Sequence, residues 1–401
     1  MQFTFQNARI HAIATSLPPH IHTLEDDAPT LYDGDLKKVA RIKKSIGLDR
    51  RHIADSHTTT LDLCFDACKQ ILSSPLLSTL PPSSIPLSTP PSTTTPASTP
   101  PVSTPSSHID GIIFVTQTPD FLQPNNSHLL HARLNLSSHC LCFDVNQGCS
   151  GYVYGLFLAS MLIEQGATNI LLCAGDTMSK VVHASDSNTT PLFGDAGSAT
   201  LITRATLQDS LPATSKNPTT PIDPQNPTAN PFASFFTLHA DGKGAEFIHL
   251  PQSGFKTPPF FPKDYPHSHH LNMDGAEVFN FSIDKEPKAI QEILSYANSD
   301  ISQIDYVFFH QANAYIISNI ARRLDLPLSK APLDSISRYG NTSSASIPLA
   351  ICDHLADAKS RADLKLILSG FGVGLSWASA LLTLPKTAQI FPPHIYQGAS
   401  S

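Results

Sequence analysis

Apolar and polar residues alternate from Phe3 to Ser16, a period of two that predicts a first strand and its exit. Asp35–Ser45 carries a helical period rich in basic residues and is closed by Gly47. Thr58–Leu72 places Leu61, Phe65, Cys68 and Leu72 on one helical face. Ile109–Thr116 is a short apolar run, hence a buried strand, followed by a polar loop over Gln117–Ser127 and a helix around His128–Leu134. A strand over Cys140–Val145 and a strongly apolar helix over Tyr152–Glu164, ending at Gly166, come next. Asn169–Ala174 and Gly197–Thr203 read as strands. The pattern then continues with Ser234–His239 (strand), Ala276–Tyr296 (helix, interrupted at Pro287), Tyr306–Phe309 (strand) and Ala314–Leu324 (helix). A helix over Ser344–Ala356 tolerates Pro348 only within its first turns. Leu364–Leu368 and Ser376–Leu384 close the series as strands.

Two stretches break the pattern. Residues 73–107 are dominated by Ser, Thr and Pro with no charge, and predict a flexible insertion because they cannot bury enough surface to offset their ordering entropy. Residues 206–230 form a second Pro-rich segment, expected to be a linker or long loop. The halves on either side echo each other. Asp110-Gly-Ile-Ile-Phe-Val-Thr-Gln117 resembles Asp305-Tyr-Val-Phe-Phe-His-Gln311, and Ile170–Gly175 resembles Leu366–Gly370. The expected fold is therefore α/β and duplicated, with an N-terminal half over 1–205 and a C-terminal half over 231–390.

Composition narrows the function. The 401 residues are ample for a large core, and a net charge of −7 spread without blocks leaves no footprint for nucleic acid or an anionic membrane. No apolar run approaches the roughly 20 residues that span a bilayer. Met1–Phe5 lacks the basic start of a signal peptide, and seven cysteines, mostly in apolar runs, suit reduced thiols. A cytoplasmic location is the expectation.

Candidate chemistry gathers at turns. Cys149, in Asn146-Gln-Gly-Cys-Ser-Gly151, stands between a strand and a helix, where the helix dipole and unpaired N–H groups favour thiolate. His310 follows a buried strand, Asn341 sits at a glycine turn, and Gly370-Phe-Gly-Val-Gly374 offers backbone N–H groups to an oxyanion. Thiolate, imidazole, amide and oxyanion hole together suit acyl transfer through a thioester. Singly, each has a bland reading: a small buried cysteine, a core histidine, a turn-forming asparagine, a bend. Weaker candidates favour the bland side. His267-Ser-His-His270 reads as a solvated turn, Cys140 with Cys142 as strand packing, Cys64 with Cys68 as a core stripe. No metal site is expected.

Asp144–Gly151, Leu192–Ala199, His310-Gln-Ala-Asn313 and Gly340–Pro348 resemble the motifs of β-ketoacyl-acyl-carrier-protein synthase III, a family of thiolase-fold condensing enzymes. The resemblance runs from about Phe3 to Leu384 outside the two Pro-rich segments. It implies a layered α-β-α-β-α sandwich and a Cys149-His310-Asn341 triad. Cys149 would take the acyl group, His310 and Asn341 would stabilise the enolate of a decarboxylating malonyl-type acceptor, and the N–H groups of Cys149 and Val373 would hold the oxyanion. Phe193 would line the substrate channel, and Phe121 would close the partner's pocket in a homodimer. Arg322 and Arg323 would contribute to carrier-protein docking. Substrates would be acyl-CoA or acyl-carrier-protein thioesters, with no further cofactor.

The chain departs from the family in three places. Its only tryptophan is Trp377, so the early adenine-stacking Trp has no counterpart, and Ser187 and Tyr315 stand where the family has arginines. These departures imply a specialised relative. The alternative carried beside condensation is an acyltransferase of the same fold that passes the acyl group to oxygen or nitrogen without decarboxylation. A papain-like hydrolase fails on its missing Cys-Gly-Ser-Cys-Trp signature, and a non-catalytic subunit is disfavoured because all three triad residues are present.

Overall fold

The computed structural model describes residues 1–75, 108–205, 230–255, 269–357 and 362–398. Nearly all of the 73–107 insertion and of the 206–230 segment lies outside the described residues, as do His267 and Ser268 of the histidine cluster.

One seven-stranded sheet runs in the order Gln389–Ile390, Ala8–Leu17, Ala196–Arg204, Asn169–Asp176, Gly111–Val115, Leu141–Val145, with His394–Ile395 also paired to Ala8–Leu17. A five-stranded sheet runs Gln2–Phe5, Ser234–Ala240, Ser376–Leu384, Leu364–Gly372, Tyr306–Phe309. The sequence echo has a structural counterpart. In each sheet the acid-led strand lies parallel to its long neighbour, which pairs antiparallel with the closing strand. The two leading acids do the same work. Asp110 Oδ2 accepts from Thr168 N at 2.6 Å and Asn169 N at 3.1 Å, and Asp305 Oδ2 accepts from Lys365 N at 2.7 Å. Each satisfies N–H groups at the head of the neighbouring strand.

Helices Gly151–Glu164 and Ser346–Leu355 fill the layer between the sheets, sharing a core with Leu172 from one sheet and Leu368 from the other. The first is apolar on every side because both its faces are covered. Thr60–Leu72 and Asn126–Arg133 pack on the outer face of the larger sheet, and Gly275–Tyr296 and Ala314–Arg323 on that of the smaller. The result is the expected five-layer thiolase-like sandwich. No described helix is long and apolar enough to cross a membrane.

The sheets do not part at the boundary read from the sequence. Gln2–Phe5 crosses to pair with Ser234–Ala240 of the smaller sheet, and His394–Ile395, beyond the expected end of the C-terminal half, pairs with Ala8–Leu17 of the larger. Pro348 is the third residue of its helix, where no intrahelical N–H is lost. Helix Leu24–Leu31 has no clear sequence signal because Pro29 interrupts its pattern; a capping box between Thr23 and Asp26 fixes its start. Cys64, Cys68 and Cys173 are fully buried, with Cys68 Sγ 3.5 Å from Cys173 Sγ, in keeping with core packing.

Glu286, ahead of Pro287, is wholly buried. Its Oε2 accepts from Ser369 Oγ at 2.7 Å, while Oε1 has no hydrogen-bond partner among the described residues. Burial pushes this carboxyl from about 4.5 up to about 8, only partly opposed by the Ser369 hydroxyl. An acid raised in the folded state contributes stability that is complete below about 4.5 and is lost as pH rises through about 8. Denaturant titrations between pH 5 and 9 should therefore show a decline of up to about 1.4 kcal/mol per pH unit that Glu286→Gln flattens. Identical pH profiles for the two proteins would contradict this.

Candidate active site

Cys149 lies between Leu141–Val145 and Ser150, the N-cap of helix Gly151–Glu164. His310 directly follows Tyr306–Phe309, its backbone N–H donating to Ser369 O at 2.7 Å. Asn341 follows Gly340, whose φ of 71° turns the chain out of helix Asp334–Tyr339 in a way that favours glycine. These three elements converge because both middle-layer helices begin at the same point between the sheets.

Cys149, His310 and Asn341 open into one cavity of about 450 Å³, which Phe193 and Val373 also line. No described lining residue is Asp, Glu, Lys or Arg. The Cys149 sulfur receives hydrogen bonds from the backbone of Val373 and of Cys149 itself, the two N–H groups expected to form the oxyanion hole. Gly372 leaves this side bare: a Cβ there would fall 2.7 Å from both Cys149 Cβ and Sγ, and its φ of 154° lies in the region that favours glycine. Asn341 is held at both ends. Its N donates to Leu192 O at 2.9 Å, its O accepts from Gly194 N at 3.1 Å, and its Oδ1 accepts from Ser343 N at 3.0 Å. The amide NH₂ is the part of the side chain left to donate to a substrate.

Ser346, the first residue of its helix, sets the imidazole. Its Oγ lies 2.7 Å from His310 Nδ1 and accepts from Gln311 N at 3.4 Å, so its own proton is available to Nδ1. That assigns the ring proton to Nε2. Burial pushes His310 down to about 3, against the opposing hydrogen bond with the Ser343 backbone, so the ring is a neutral donor across the ordinary pH range.

The thiolate expected at Cys149 is not what the site holds. Burial, with the nearby charge of Asp176, pushes the thiol up to about 11, outweighing the backbone donors and the Ser343 hydroxyl that favour ionisation. The motif reveals the donors but not the depth.

Other expectations separate. Phe193 is in the cavity wall, buried. Phe121 is 57% exposed and outside the cavity, so within one chain it lines no channel. Arg322 and Arg323 are exposed at the end of helix Ala314–Arg323 and do not reach the cavity; Arg322 bonds Asn319, and Arg323 Nη1 donates to Ile283 O at 2.9 Å. Ser346 and Asp176 carry no sequence signal strong enough to single them out. Ser346 is detectable only as a serine at a helix start beside the Asn341 turn.

Family models described as 3-oxoacyl-[acyl-carrier-protein] synthase III and its C-terminal region match residues 143–217 and 294–384, which contain the whole triad. The chain is 33% identical over 391 residues to a putative 3-oxoacyl-[acyl-carrier-protein] synthase 3 of Campylobacter jejuni, covering 95% of each. The chain belongs to the 3-oxoacyl-[acyl-carrier-protein] synthase III family. Another family member, the β-ketoacyl-[acyl-carrier-protein] synthase III of Rhodopirellula baltica, is 30% identical over 94% of this chain and 98% of its own. The crystal structure of the 3-oxoacyl-(acyl-carrier protein) synthase from Burkholderia xenovorans superposes with a TM-score of 0.81 at 32% identity, over 98% and 99% of the two chains. As a synthase III family member the chain is an enzyme of the condensing-transferase class.

A protonated resting thiol has a measurable signature. Alkylation of Cys149 by iodoacetamide, followed by intact mass, should accelerate about tenfold per pH unit from pH 7 to 9, because the thiolate fraction is still rising towards about 11. A rate that levels off near pH 7 would show an ionised sulfur instead.

Proposed function

We propose that this chain catalyses decarboxylative condensation of an acyl thioester with a malonyl-type thioester, Cys149, His310 and Asn341 carrying the chemistry. The observation that supports this most is one uncharged cavity receiving a sulfur, a neutral imidazole and a carboxamide beside two backbone donors.

In the first half-reaction Cys149 Sγ attacks the donor carbonyl. The oxyanion lies against the N–H groups of Cys149 and Val373, the donor C–S bond breaks, and the thiol proton leaves with the departing thiol. In the second, the C–C bond to the malonyl carboxylate breaks and carbon dioxide departs. The electron pair passes into an enolate whose oxygen accepts from His310 Nε2 and the Asn341 amide. The enolate carbon attacks the acyl carbonyl, and collapse of the adduct releases the Cys149 sulfur, which takes up a proton. A neutral imidazole suits this role because it donates a hydrogen bond without surrendering its proton. The two thioesters balance the reaction with no further cofactor, and an acyl carrier protein is the proposed bearer of at least one.

The active form is proposed to be a homodimer. Leu141–Val145 is an edge strand of the larger sheet with Leu141 exposed, and the apolar side chains of Phe121 and Leu122 project from a nearby loop. A second copy covering this edge would bring Phe121 to a neighbouring cavity.

Incubation with radiolabelled acyl and malonyl thioesters tests the assignment. Cys149→Ala should abolish acyl-enzyme formation. His310→Ala and Asn341→Ala should keep acylation measurable while lowering carbon dioxide release and condensation by roughly 10²–10³-fold each. Normal condensation by either variant, or acyl transfer without carbon dioxide release by the unaltered protein, would refute these roles.

A further inference from the structure

The polar side chains that line the Cys149 cavity divide by what they already bond. Cys149, His310, Asn341 and Ser343 form the reacting cluster, the Ser343 hydroxyl facing both the Cys149 sulfur and the Asp176 carboxyl. Asn313 caps its own helix, its Oδ1 accepting from Ile316 N at 2.8 Å. Ser187 and Asn188 are exposed to solvent. Gln117 is the exception. It is half-buried and lines the cavity, and its carboxamide has no hydrogen-bond partner among the described residues. Its backbone, by contrast, is fixed. Gln117 N donates to the buried Asp176 Oδ1 at 2.7 Å, and Thr118 N beyond it donates to Thr116 Oγ1 at 3.0 Å.

The free amide stands beside the nucleophile. Gly148, the residue before Cys149, leaves room for it: a Cβ there would fall 2.2 Å from Gln117 Oε1 and 2.7 Å from Val373 Cγ1. Strands Gly111–Val115 and Leu141–Val145 are parallel neighbours, so Gln117 and Cys149 leave the same end of one sheet. With consecutive Cα atoms 3.8 Å apart, Oε1 lies within roughly 8 Å of the Cys149 Cα. The first few carbons of an acyl group on the sulfur span that distance. His310 and Asn341, the donors to an acceptor's enolate, come instead from the C-terminal half. Met178, Phe193 and Leu271 pack on one another and give the cavity much of its apolar surface.

A carboxamide set in such a wall discriminates between ligands. Water satisfies it before substrate enters. A plain hydrocarbon chain displaces that water and leaves the amide unpaired, whereas a chain bearing one hydroxyl or carbonyl oxygen restores the bond. We propose that Gln117 selects the acyl donor, favouring a short acyl group with a hydroxyl or carbonyl oxygen on one of its first carbons beyond the thioester carbonyl. This rests on the condensing-enzyme reading and names the class of its first substrate. Gln117 takes no part in bond making. Its amide holds the substituent while the thioester oxygen occupies the oxyanion hole.

The test follows acylation of Cys149 by intact mass, with no malonyl acceptor present. The donors are acetyl, butyryl, β-hydroxybutyryl and γ-hydroxybutyryl groups, borne alike on coenzyme A and, separately, on acyl carrier protein. The unaltered protein should react with at least one hydroxylated donor about tenfold or more faster than with butyryl. Gln117→Met, close in size but unable to donate, should erase that preference, slowing the hydroxylated donor and speeding butyryl. Gln117→Leu should do the same. Equal rates for butyryl and both hydroxylated donors in the unaltered protein overturn the proposal, as does a preference that both variants keep. A uniform fall for all donors in both variants marks a packing role and also overturns it. So does a defect confined to malonyl-dependent condensation, which places the amide on the acceptor. Absence of acylation by every donor overturns the condensing-enzyme reading, and this proposal with it.

Discussion

The geometry of the site hangs on one carboxylate with no access to solvent. Asp176, at the end of Asn169–Asp176, is fully buried. Its Oδ1 accepts from Gln117 N at 2.7 Å and Thr116 Oγ1 at 3.1 Å; its Oδ2 accepts from Ser344 Oγ at 2.7 Å and Ser344 N at 3.2 Å. One oxygen thus holds the loop after Gly111–Val115, and the other holds the turn that carries Asn341. A buried charge is tolerable only when hydrogen-bonded on all sides, so this group fixes both partners in place. The same charge opposes ionisation of Cys149. The carboxylate that positions the amide thus also adds to the upward push on the sulfur, of which burial is the larger cause.

The site is consistently neutral at rest. The thiol is held up, the imidazole is held down, and no described lining residue brings a formal charge. In such surroundings a fixed dipole counts for more than it does in water, and charge that develops on a reacting oxygen meets donors already in place. The cations of helix Leu36–Ile46 point to solvent and stay out of the cavity lining. That separation lets an uncharged acyl chain enter without desolvating a charged wall.

Much of this is legible in the chain. Periodicity locates the strands Tyr306–Phe309 and Ser376–Leu384 with their observed bounds, because short apolar runs between polar turns admit few other solutions. The paired leaders Asp110 and Asp305 reveal the duplication, since equivalent strands need equivalent caps. Cys149, His310 and Asn341 stand out by their turns and motif order, and they share a cavity. What stays hidden depends on three dimensions. The helix end beside Cys149 argues for a thiolate, but the balance is decided by burial and by Asp176, which no local pattern shows. Ser346 matters only because its helix starts under His310. Phe121 looks like a channel residue, yet one chain leaves it in solvent. The crossing of Gln2–Phe5 to a distant sheet has no local signal at all.

That crossing bears on biosynthesis. Gln2–Phe5 finds its antiparallel partner in Ser234–Ala240, about 230 residues later. During translation the earlier strand emerges long before its mate exists, so Gln2–Phe5 stays unpaired until Ser234–Ala240 has followed it. Pairing over such a separation is slow, and an unmatched edge invites association with other chains in the interval. Completion of both sheets waits on later strands still, because Ser376–Leu384 pairs with Ser234–Ala240 and His394–Ile395 with Ala8–Leu17.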